Sequence, residues 1–177
     1  SADKPRDSVH GASVGVHASD AANSWRNIAR VTNQRNRICS LIVGAWHTAG
    51  QAGALSDTPF PFDVEAIDAK KRDAARLLAE LNASIRSKDQ VKAMAVVRCW
   101  ELAGHSARPV FDCLRQYAIS EDGALHAEKY FRTVVEAFST TRIDFRWRHL
   151  IGLARVSASE YGWPAPGRAQ AVDLLQG

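Results

Sequence analysis

The chain has 177 residues, 46% of them hydrophobic and 24% charged, with a formal net charge of +4 and three cysteines. It contains no run of about 18 uncharged apolar residues, which excludes a membrane-spanning helix. Cys39, Cys99 and Cys113 are too few and too scattered for a disulfide framework, and the opening residues lack the basic and apolar stretches of a secretory leader. A cytoplasmic protein, or one within a particle assembled there and not secreted, is therefore expected.

Residues 1–19 are polar, rich in Ser, Gly, Ala and Asp, without a helical or strand period, and are expected to form a flexible arm. From Asp20 apolar residues recur near helical spacing, at Trp25, Ile28, Ala29, Ile38, Ile42, Ala45 and Trp46. The polar stretch Thr32 to Asn36 allows one long helix or two, and Gly50, Gly53, Pro59 and Pro61 end the pattern in a loop. Asp63 then has the position of an N-cap, with Phe62 able to pack on Ile67 as a hydrophobic staple, before a helix through Ala74, Leu78, Leu81 and Ile85. Ser87 and Gln90 have capping-box spacing and open a helix with Val91, Met94, Val97 and Trp100 inward and Gly104 as its stop.

Ser106 is read as the cap of a shorter helix that tolerates Pro109 in its first turn and turns Val110, Leu114, Tyr117 and Ala118 inward. Ser120, followed by Glu121 and Asp122, opens another, with Leu125, Phe131, Val134, Val135 and Phe138 as its stripe. Thr140 or Thr141 caps the last long helix, which runs to about Ser159. No segment alternates with the period of a strand, so the fold class is all-α: a single-domain multi-helix bundle over residues 20–160. The flexible N-terminal arm precedes it, and an extended C-terminal tail, 161–177, follows.

The helix after Thr141 has apolar residues on two sides. Ile143, Trp147, Leu150, Ile151, Ala154 and Ala158 share one face, while Phe145, Leu153 and Val156 lie opposite. A helix apolar on two sides is either central to a large core or packed on another subunit. Phe145, Leu153 and Val156 are expected to form a subunit interface of a homo-oligomer.

Seventeen of the 23 basic residues are Arg, a side chain suited to bidentate contact with phosphate. Arg26, Arg30, Arg35 and Arg37 stand in a stretch without an acid between Ala21 and Leu55, and Arg26, Arg30 and Arg37 share one side of a helix if it is continuous. Arg142, Arg146, Arg148 and Arg155 are interleaved with Phe145, Trp147 and His149, a combination that suits single-stranded nucleic acid because cations track phosphates while rings stack on bases. Arg26, Arg30, Arg37, Arg142, Arg146, Arg148 and Arg155 are thus the expected nucleic-acid contacts, made mostly to phosphate.

The arrangements that chemistry requires are missing or misplaced. Gly11, Ser13 and Gly15 match the nucleophile-elbow motif in letters, yet they lie in the polar arm without the strand and helix that strain it. Glu101 with His105, and Asp122 with His126, are i, i+4 pairs, a spacing unlike that of di-iron bundles or zinc proteases. Asn82 opens a literal glycosylation triplet in the middle of a helix. No catalytic residue, metal or cofactor is expected, and no membrane partner. The organisation suits a self-assembling structural protein of coat or nucleocapsid type that packages nucleic acid. The alternatives are a helical accessory or scaffold subunit of a protein complex and a small helical enzyme or metal-binding bundle.

Overall fold

The computed structural model describes residues 14–54, 73–119, 125–162 and 167–176. These residues are helical, with no strand among them, so the all-α class stands. The helices are α1 (Val14–Val31), α2 (Gln34–Ala49), α3 (Ala74–Arg86), α4 (Gln90–Leu102), α5 (Arg108–Ala118), α6 (Leu125–Thr140), α7 (Ile143–Glu160) and α8 (Arg168–Gln176). The chain divides into two compact units, Ser1–Pro59 and Phe60–Gly177.

In the first unit α1 and α2 pack on each other as a helical hairpin. The polar stretch at 32–33 does break the helix, because the Asn33 side chain accepts the Asn36 N–H at 3.0 Å and caps a new one. Close approach of the two helices rests on small residues of α2. Ser40 and Gly44 are its buried positions, and a Cβ on Gly44 would lie 3.0 Å from the Trp25 Cβ. The arm expected over 1–19 is shorter on its described side, since α1 starts at Val14, and residues 1–13 lie outside the described residues.

In the second unit α7 is the central helix, lying against α3, α4, α5 and α6, while α4 packs between it and α3. Ala93, Met94, Ala95, Val96 and Val97 are buried in succession, followed by Cys99 and Trp100. Five consecutive buried residues point to every side of this stretch, which is why four inward positions understate what the helix contributes. Gly104 adopts φ 74° just past its end, the left-handed conformation that glycine takes without strain, so the expected stop is correct.

Helix starts differ from the expected caps. The Ser87 to Gln90 box does not form: Lys88 turns back at φ 61°, Asp89 N–H bonds to the Ser84 carbonyl at 2.9 Å, and the Asp89 carboxylate caps α4 by accepting Lys92 N–H at 2.9 Å. Ser106 is not the cap of α5, which begins after Ala107; the Ser106 carbonyl instead accepts the Trp100 indole N–H at 2.8 Å. The inward face of α5 is as expected, with Val110, Leu114, Tyr117 and Ala118 buried. Neither Thr140 nor Thr141 caps α7. The Thr140 hydroxyl bonds back to the Glu136 carbonyl at 2.9 Å, that of Thr141 lies 3.0 Å from His149 Nε2, and Arg142 takes the cap position without a side-chain bond. The expected Asp63 cap, the Phe62–Ile67 staple and the Ser120 start lie outside the described residues; α3 is capped by Asp73, whose carboxylate accepts Arg76 N–H. The tail expected to be extended contains a helix, α8.

Candidate nucleic-acid interface

Helix α7 brings most of the expected cations together, and its two apolar sides explain how. Leu150, Ile151, Leu153, Ala154, Ser157 and Ala158 are all buried, because α3, α4, α5 and α6 surround this part of the helix. Leu153 is only 1% exposed, so it faces the interior of its own unit and not a second subunit. Leu153 therefore drops out of the expected interface of Phe145, Leu153 and Val156. Val156 is half-buried, and Phe145 stands apart at the exposed start of the helix. Ile143, expected on the inner stripe, is exposed.

Phe145 is 37% exposed and carries two guanidinium groups, with Arg142 Cζ 5.4 Å and Arg148 Cζ 4.9 Å from its ring centroid. Both distances allow cation–π attraction, which holds the long side chains beside the ring instead of leaving them to sweep through solvent. Neither arginine has a carboxylate partner among the described residues. The result is an exposed ring flanked by two uncompensated cations.

The other two arginines of this helix are committed elsewhere. The Arg146 guanidinium lies 5.1 Å from the Phe138 ring centroid, with its Nε buried and without a hydrogen-bond partner. Phe138 is itself part of an edge-to-face series, 5.2 Å from Phe111 and 5.7 Å from Trp147, so Trp147 packs inside the unit and is no stacking platform. Arg155 Nε donates to Gln90 Oε1 at 2.9 Å and ties α7 to the start of α4.

The arginines of the first unit do not form one ridge. The helix break places Arg37 on α2, where its Nε donates to the Ala29 carbonyl at 2.9 Å. Arg26 and Arg30, on α1, each bond to the asparagine three residues earlier, Asn23 at 3.1 Å and Asn27 at 3.2 Å. Arg26 is half-buried and Arg30 exposed.

Glu101 pairs with Arg98, His105 lies against the Trp100 ring at 4.7 Å, and Asp122 lies outside the described residues. His126 instead meets Glu160, its Nδ1 3.7 Å from Oε2, with both side chains buried. No spacing rule connects positions that far apart, so sequence reasoning missed Glu160. Among the described residues no group of three or more His, Cys, Asp or Glu is placed to hold a metal ion.

A second polar cluster was also missed. Asn82, half-buried on α3, accepts the Tyr117 hydroxyl at 2.8 Å and the Cys113 thiol at 3.5 Å. Burial pushes the Cys113 thiol from its usual 9.0 up to about 11, against the opposing pull of the Asn82 hydrogen bond. Burial likewise raises Tyr117, whose hydroxyl also bonds Arg86. These shifts favour the neutral forms and make both groups poor nucleophiles at neutral pH.

Compared with known proteins, the chain matches no family model, no curated protein and no solved structure.

Proposed function

We propose that this is a non-enzymatic, self-assembling structural protein that coats single-stranded nucleic acid, contacting it mainly through phosphates. The observation that carries the reading is the cluster of Arg142, Phe145 and Arg148, in which two cations without acid partners among the described residues flank an exposed aromatic ring. Phosphates attract the guanidinium groups whatever the base sequence, and the ring offers a π-face that every base can stack on. Arg30 and Arg35 add exposed positive charge on the first unit.

The test is binding of a fluorescent oligouridylate to the purified, nucleic-acid-stripped protein across a salt series. Each phosphate contact on a single strand contributes about 0.7 to the slope of log K against log salt. The double variant Arg142→Gln, Arg148→Gln is expected to reduce that slope by roughly 1.4 while leaving the fold intact. A protein that purifies free of nucleic acid and binds none at low salt overturns the proposal.

A second reading, a helical accessory subunit of a protein complex, draws support from α8. Leu174 and Leu175 at its end are 84% and 87% exposed, as in a segment that docks on a partner protein. Under that reading the two arginine substitutions leave function unchanged.

A further inference from the structure

Helix α2 is amphipathic in an inverted sense. The face that meets α1 carries the small residues Ser40 and Gly44, while the large apolar residues Ile38, Leu41, Ile42 and Trp46 stay exposed, Leu41 at the rim of a groove beside Trp25 of α1. Ile38, Leu41, Ile42, Ala45, Trp46 and Ala49 are all exposed and follow one another at i, i+3, i+4, i+7, i+8 and i+11, a continuous seam along the helix. Trp46 is 76% and Ile42 63% exposed. A helix that gives its bulk to the outside has a second surface to cover.

We infer that this seam pairs with the same seam of a second copy of the chain, the two α2 helices running antiparallel about a two-fold axis. The spacing is self-complementary. An axis through the middle of the seam sets Ile42 against Ala45 of the second copy, Ile38 against Ala49 and Leu41 against Trp46, so large residues meet small ones in two of the three pairs. Charge selects the direction. Arg35 and Arg37 are exposed at the amino end of α2, and no acid occurs between Ala21 and Leu55. Parallel pairing would crowd four guanidinium groups together. Antiparallel pairing brings each set to the carboxyl end of the other helix, where free carbonyls carry the negative end of the dipole.

The pairing deepens the self-assembly part of the proposed function and names its contact, but it requires no nucleic acid. The experiment therefore uses the full chain after nuclease treatment, at about 0.5 M salt, where phosphate contacts are screened. Light scattering coupled to gel filtration is expected to give a dimer. Ile42→Glu places a carboxylate in the seam twice through the symmetry, and is expected to raise the dissociation constant at least about 100-fold without altering the helical circular dichroism. Register is read by cross-linking in a Cys39→Ser background: Ile38→Cys chains mixed with Ala49→Cys chains form a disulfide-linked pair, whereas Ile38→Cys chains alone do not.

A monomer under these conditions overturns the inference, as does a dimer that Ile42→Glu leaves intact or a cross-link between two Ile38→Cys chains. Flotation with anionic vesicles that requires Trp46 and Ile42, from a protein monomeric in solution, assigns the seam to a lipid surface instead. A parent protein that dimerises yet binds no oligouridylate at low salt would sink the nucleic-acid reading and leave this one standing.

Discussion

Leu153→Ala separates the two roles that a doubly apolar helix allows. Leu153 is 1% exposed on α7 amid four neighbouring helices, and truncation removes three carbons from that interior. At about 0.8 kcal/mol per buried carbon group the transfer loss is about 2.4 kcal/mol, and the cavity left behind brings the total to about 3–4 kcal/mol. Unfolding entropy near 2.1 cal/mol/K per residue, summed over Phe60–Gly177, is about 0.25 kcal/mol/K. The midpoint should therefore fall by about 12–16 °C. Thermal melts followed by far-ultraviolet circular dichroism measure the shift. Urea titration with an unchanged m-value establishes that the native state lost stability. Phe145→Ala is the control: its ring lies at the exposed start of α7, so the same melt should move by no more than about 4 °C while oligouridylate binding weakens. A Leu153→Ala protein that melts within about 3 °C of the parent but changes its oligomeric mass would refute the reasoning and return this residue to a subunit contact.

Two further predictions concern the cluster around Asn82. Because burial raises the folded-state value of the Cys113 thiol, its contribution to stability is complete below pH 9.0 and is lost as the pH climbs to about 11. Urea titrations should show Cys113→Ala losing about 2–3 kcal/mol less than the parent over that window, and equal losses would reject the buried-thiol account. Asn82→Ala deprives the Tyr117 hydroxyl of its acceptor at 2.8 Å, with an expected cost of about 1–3 kcal/mol in the same titration. A cost below about 0.5 kcal/mol would mean that water or the Asn82 backbone carbonyl, 3.5 Å from the hydroxyl, replaces the lost acceptor.

Local features were legible wherever they depend on neighbours in the chain. The glycine stop at Gly104 and the inner face of α5 follow from backbone sterics and helical periodicity, which act within a turn or two. Caps were less legible. Ser87, Asp89 and Ser106 all have suitable side chains, and long-range placement of the Trp100 indole decided what the Ser106 carbonyl does. The arginines illustrate the same limit. Their number was visible in the sequence, but Arg155 reaches a residue 65 positions away, Arg146 stacks on the previous helix, and Arg142 and Arg148 keep their charge exposed beside a ring.

The sequence by itself determined that the described residues are helical and that most of the chain's cations, 17 of 23, are arginines. Periodicity and composition carry that much because they express the local geometry of the backbone. Which apolar face is interior was decided by tertiary structure. Helix α7 reads as apolar on two sides, and the packing of α3, α4, α5 and α6 around it enclosed Leu153 while leaving Phe145 outside. For α2 the outcome was the reverse: the small residues Ser40 and Gly44 took the contact with α1 because they let the backbones approach, and Ile42 and Trp46 were left facing outward.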